Sequence, residues 1–161
     1  MAIEKPAHGA GKTQEVELDS AATHILEECR MVLPGIQALF GFQLIAVFNE
    51  GFSEKLSQDG RLLHLAAIVL VIVAIALVMA PAALHRQTSQ QVVSERFIWL
   101  SSALLLAGMF PLVIALCMEV YLIGGIILQQ AGIAAAIAAV LFAVFMLLWI
   151  ALPLLERARQ H

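Results

Sequence analysis

Few side chains in this sequence could do chemistry, and most of those few lie in apolar runs. Gln37 and Gln43 interrupt the stretch Arg30–Phe52, Ser101 and Ser102 stand early in Phe97–Met118, and Glu119 follows directly. A polar group in hydrocarbon is costly unless it is paired, so each must face a helix interior, a partner or water. Ser101 and Ser102 can satisfy themselves on backbone carbonyls of their own helix. The glutamines and Glu119 cannot be explained so cheaply.

On a helix, Arg30, Pro34, Gln37, Gly41, Leu44 and Phe48 step by four and three residues and share one face. Gln43 lies about 120° away, on the side of Phe40 and Val47. Two readings of Gln37 stand. Its amide either repairs the Arg30 carbonyl that Pro34 leaves free, or bonds to another helix. Alternatively, the Gln37–Gly41 face lines a water-filled path, with Phe40 or Phe48 as an apolar constriction. Arg30 can pair with Glu27 at i,i+3 or meet an anionic lipid at the membrane boundary.

Glu119 belongs to "CMEVYLIGGIILQ". If the preceding helix continues through it, Glu119 is an acidic site for a cation or proton near membrane depth. If the helix ends near Met118, Glu119 caps the outer surface. With Glu50, Glu54 and Asp59 it outweighs Lys55 and Arg61, an acidic rim that concentrates cations if it surrounds an opening. His85 and Arg86 end the run "MAPAALHRQ" and can sit against helix C-terminal carbonyls or anchor lipid. Histidine also titrates nearest neutral pH, which makes His85 a pH-sensing candidate. His64 stands at the far end of that run, about 30 Å away, so His64 and His85 cannot share one haem or metal. The other histidines are in tails, and no zinc spacing is present. Cys29 and Cys117 fall near opposite membrane faces, where no disulfide is expected. "HGAGKT" fails as a phosphate loop, because the position of its first glycine falls on Pro6 and no strand precedes it. With no nucleophile–base pair, metal cluster or carboxylate pair at membrane depth, we expect no catalytic residue, no metal site, no cofactor and no enzyme.

The elements that must position these residues follow from composition. The chain has 161 residues, 61% hydrophobic and 13% charged, with mean hydropathy +0.92. Soluble domains are nearer half apolar and a quarter charged. Runs at 62–84, 97–118 and 131–155 each exceed the roughly 20 residues that cross a bilayer, and a shorter one covers 31–49. The fold class expected is an all-α integral membrane protein. It is a bundle of four transmembrane helices preceded by an amphipathic interfacial helix at 19–30, where Asp19 or Ser20 caps and Ala22, Ile25, Leu26 and Cys29 form an apolar stripe. Pro34 would turn that helix into the first span. Residues 1–17 read as a disordered tail, 18–155 as one membrane domain and 156–161 as a second tail. The first 25 or so residues hold no apolar core of a secretory signal.

Lys5, Lys12, Arg30, Arg86, Arg96, Arg157 and Arg159 lie on one side, against Lys55 and Arg61 on the other. The positive-inside rule then places both termini in the cytoplasm, and Trp99 and Trp149 fall near that face. A net charge of −3 without a basic stripe points away from nucleic acid. Ala135, Ala139 and Ala143, with Gly132 and Ala136 alongside, allow close helix packing, either within the chain or between copies.

Two stretches also carry a resemblance. Glu28, Arg30, Gly35 and Gln37 form an E-x-R-x-x-x-x-G-x-Q approach to the first helix, and Ala80, Pro81, His85 and Arg86 an A-P-x-x-x-H-R end to the second. Over about the first 90 residues the chain resembles a family of small bacterial four-span membrane proteins known only as a domain of unknown function. The resemblance implies the fold and a bacterial inner membrane, and brings no activity, catalytic residue or cofactor. The expected function is a homo-oligomeric channel or pore-like conduit for cations or protons, its partners the bilayer, further copies and an inorganic ion. The alternative is a non-conducting scaffold whose polar residues only stabilise helix and lipid contacts.

Overall fold

The structure, a computed structural model, describes residues 8–87 and 94–159. Helices α1 (His8–Val47), α2 (Phe52–Lys55), α3 (Gln58–Gln87), α4 (Glu95–Leu128), α5 (Ala131–Met146) and α6 (Leu152–Arg159) follow in order, with a π-helical turn at Leu147–Ala151. No strand is found among the described residues. Four helical stretches are long and apolar enough to cross a membrane: Val16–Val47, Gln58–Gln87, Glu95–Leu128 and Ala131–Glu156.

The first difference from expectation is α1. It runs for 40 residues without a break, so the interfacial helix and the first span are one element. It begins at His8, inside the stretch expected to be a tail; residues 1–7 lie outside the described residues. Asp19 and Ser20 sit within the helix instead of capping it. Pro34 is accommodated because it removes one backbone bond, whereas breaking the helix in an apolar medium would expose many more. At ~1.5 Å per residue α1 is about 60 Å long, twice the ~30 Å hydrocarbon thickness. Its length therefore exceeds what one perpendicular crossing needs, and its charged residues all lie at or before Arg30.

The second difference is α4, which passes the expected end at Met118 and continues to Leu128. It stops at Gln129, a non-glycine residue at φ 54° in the left-handed region. Gln129 compensates by donating twice: its backbone N–H to the Gly125 carbonyl at 3.1 Å and its side-chain amide to the Ile126 carbonyl at 2.8 Å. The π turn before α6 precedes Pro153, whose missing N–H removes the ordinary bond to the Trp149 carbonyl.

The chain divides into two compact units, Met1–Gln37 with Ile75–Gly108, and Ala38–Ala74 with Met109–His161. In the first, Ala22, Ile25, Cys29 and Ile36 of α1 are buried, as are Val78 and Pro81 of α3 and Ser101 of α4. The Ser101 hydroxyl finds no partner among the described residues, so the expected bond to a backbone carbonyl does not form. In the second unit the buried positions are Gln43, then His64, Ala67, Ile68, Val71 and Ala74 of α3, then Val113, Ala115 and Leu122 of α4, and Ala134 of α5. The α3 positions recur every three or four residues, the spacing of one helix seam. A Cβ built on Gly124 would lie 3.2 Å from the Ala134 Cβ, so the glycine is what lets α4 and α5 approach. Ala135, Ala139 and Ala143 are exposed and take no part in that contact.

Candidate functional site

Between Leu62 and Leu84 the only Asp, Glu, Lys, Arg or His is His64; between Phe97 and Leu128 it is Glu119. In the second unit these two residues meet. His64 Nδ1 lies 2.9 Å from Glu119 Oε1, with both side chains nearly enclosed. The other ring nitrogen, Nε2, is 3.1 Å from the backbone carbonyl of Gln43. The Gln43 side-chain amide donates to the same Glu119 Oε1 at 2.8 Å. Thus α1, α3 and α4 each contribute one polar group to one cluster, 4% exposed at Gln43 and at His64.

The hydrogen bonds fix where protons can sit. A backbone carbonyl only accepts, so His64 Nε2 must carry a hydrogen. One further proton then belongs to the contact between Nδ1 and Oε1. Held on Nδ1, it makes an imidazolium–carboxylate pair; held on Oε1, it makes a neutral carboxylic acid bonded to a neutral imidazole. The pair is electrically neutral either way, which is what a low-dielectric site tolerates. Gln43 Oε1 is buried without a donor among the described residues, an unmet acceptor beside the carboxylate. The ring of Phe52 stands edge-on to His64, with centroids 5.1 Å apart.

The cluster borders a cavity of about 210 Å³ otherwise lined by apolar groups such as Leu39, Phe42 and Phe52. A second, open cavity of about 950 Å³ has a mixed lining, with Glu54, Lys55, Ser57, Asp59, Tyr121 and Gln129 as its polar side chains. Leu56, Leu122 and Ile126 line both and form an apolar wall between them. By helical rise Gln43, His64 and Glu119 sit about 6, 9 and 14 Å inside the near ends of their helices. This answers the question over Glu119: it lies well within a helix and caps nothing.

The other sequence candidates fall elsewhere. Gln37 is exposed and makes no hydrogen bond among the described residues, so it does not repair the carbonyl freed by Pro34. Phe48 is 85% exposed, Phe40 is half-buried, and among the described residues no atom beyond its chain neighbours and its own helix backbone comes within 4 Å of a Cβ built on Gly41. Glu27 approaches His24, 3.9 Å away, and Arg30 forms no ion pair among the described residues. His85 and Arg86 do occupy the last turn of α3, as expected, with the His85 ring 5.7 Å from that of Phe97. Sequence reasoning passed over His64 by weighing it only as a metal ligand shared with His85. The available signal was that each of two apolar runs holds a single residue among Asp, Glu, Lys, Arg and His. Among the described residues no cluster of three or more His, Cys, Asp or Glu side chains could hold a metal ion.

No curated protein and no solved structure matches the chain. A match over residues 11–153, most of the length including all three residues of the cluster, shows that the chain belongs to DUF6328, a family of unknown function.

Proposed function

We propose that the protein is a homo-oligomeric membrane conduit for protons or small cations, with Glu119 as the ion-accepting group. One observation carries this reading: the one Asp, Glu, Lys, Arg or His of each of two apolar runs is paired with the other, His64 Nδ1 to Glu119 Oε1 at 2.9 Å. Stability alone does not account for such a pair, since apolar residues of similar volume usually serve a core as well or better. Ionisable groups at membrane depth instead mark ion and proton routes.

The surroundings suit that role. The open cavity with Glu54 and Asp59 gathers cations. The Leu56, Leu122 and Ile126 wall excludes water from the cluster until it is wetted. A proton that crosses the wall protonates Glu119, and the unmet Gln43 Oε1 offers an acceptor to a hydronium or a small cation. The proton on His64 Nδ1 can pass to Oε1 and back, while Nε2 stays tied to the Gln43 carbonyl. No catalytic step is assigned to any residue.

Exposed Gln37, on an apolar helix and without a partner among the described residues, supports the homo-oligomer, because lipid would leave its amide unsatisfied. The lysine and arginine distribution supports an orientation with both termini cytoplasmic, in the bacterial inner membrane that the family resemblance implies.

The scaffold reading has its own support: three hydrogen-bonded contacts tie α1, α3 and α4 together, as a purely structural cluster would. Proton flux into proteoliposomes under an imposed potential separates the two. We expect flux above protein-free vesicles for the wild type and loss to that background for Glu119→Gln. Background flux in the wild type would favour the scaffold.

A further inference from the structure

The first unit holds a groove of about 930 Å³ whose walls come from α1 and the last third of α3. Its length is apolar, with Leu26, Leu33 and Met79 on the walls. Alanines at 76, 80 and 83 leave open the space that larger side chains would fill. Arg30 from α1 and His85 and Arg86 from the terminal turn of α3 converge on it, and among the described residues no acidic one lines it. Neither arginine forms an ion pair among the described residues. Two guanidinium groups brought to one groove from different helices repel each other unless an anion lies with them. An anion alone would not use the apolar walls, and an uncharged chain would not use the arginines.

We propose that this groove is a binding site for one anionic phospholipid, its phosphate held by Arg30 and Arg86 with His85 beside it, and an acyl chain along Leu26, Leu33 and Met79. Basic pockets between membrane helices take anionic head groups in this way, and guanidinium groups match phosphate geometry. The site uses none of Gln43, His64 and Glu119 and stands or falls apart from the conduit.

The test is native mass spectrometry of the full chain, purified in detergent and titrated with dioleoyl phosphatidylglycerol or dioleoyl phosphatidylcholine. We expect the wild type to prefer the anionic lipid about tenfold or more, from two arginine contacts. Arg30→Gln and Arg86→Gln should each weaken that lipid about fivefold and leave the zwitterionic one unchanged. Arg30→Lys and Arg86→Lys, which keep the charge, should keep most of the preference. Ala80→Leu, which fills the groove, should weaken both lipids. Equal affinity of the wild type for the two lipids would overturn the site, and that result needs no variant to fold. A preference surviving in the helical Arg30→Gln/Arg86→Gln double variant would also overturn it. So would displacement of the lipid by glycerol phosphate at equal concentration, which would show a free-phosphate site.

Discussion

Gln37 and Gln43 are the same side chain on the same helix, less than two turns apart, and they meet opposite environments. Gln37 is exposed, as are Pro34, Leu44 and Phe48 on the same side, which the described residues leave uncovered. Gln43 is buried, and both its carbonyl and its amide serve the His64–Glu119 pair. The two lie about 120° apart around α1. What separates them is the helix seam: Ala22, Ile25, Cys29, Ile36 and Gln43 recur at steps of three, four and seven, and Gln37 falls outside that series. A polar residue in a membrane helix is thus informative only once its face is known. On the seam it meets partners from its own chain, and off the seam it is left to another molecule.

The largest expected effect tests the pairing that Gln43 supports. Glu119→Leu leaves His64 buried without its partner, and His64→Leu does the same to Glu119. Each should cost about 3–5 kcal/mol of unfolding free energy. The double variant His64→Leu/Glu119→Leu should recover part of that loss, because no buried ionisable group is left unpaired, although the Gln43 amide loses its acceptor. Thermal unfolding in detergent micelles reads all three, and a double variant no more stable than either single one would deny the coupling.

A smaller difference separates the glutamines themselves. Gln43→Leu strips the amide from Glu119 and should cost about 1–3 kcal/mol. Gln37→Leu, measured the same way in monomeric micelles, should stay within about 0.5 kcal/mol. Equal losses would erase the distinction drawn above.

Glycines give the smallest test of the same contrast between covered and uncovered faces. Gly124→Ala brings a Cβ to 3.2 Å from that of Ala134 and should destabilise by about 1 kcal/mol. Gly132→Ala meets nothing within 4 Å and should stabilise its helix by about 0.5–1 kcal/mol. Opposite shifts in the unfolding midpoint are expected, and shifts of one sign would contradict the α4–α5 contact.

Much of this architecture could be read from the residues. Run length against bilayer thickness identified four spans, and the basic end of α3 lies where "MAPAALHRQ" suggested. Helix ends were less legible. Pro34 and the Gly124–Gly125 pair look like breakers by aqueous propensity, yet in an apolar medium the unbonded backbone outweighs that preference, and α1 and α4 run through them. The site was legible in part. Glu119 stood out as an acid in an apolar segment, but its partners lie 76 and 55 positions away at Gln43 and His64, and no local pattern pairs them. The stripe from Arg30 through Gln37 to Leu44 lies within α1 and Phe48 just beyond its end, but helical spacing alone does not say which face a chain buries.

The buried cluster and the exposed stripe can be set against each other in one measurement: proton flux into proteoliposomes for wild type, Glu119→Gln and Gln37→Leu at equal protein content. Conduction through the buried cluster predicts that Glu119→Gln falls to the protein-free background while Gln37→Leu keeps at least about half of the wild-type rate, since a lost surface contact perturbs little. Wild-type flux in Glu119→Gln together with background flux in Gln37→Leu would place the path along the exposed face of α1 and contradict the role assigned to Glu119.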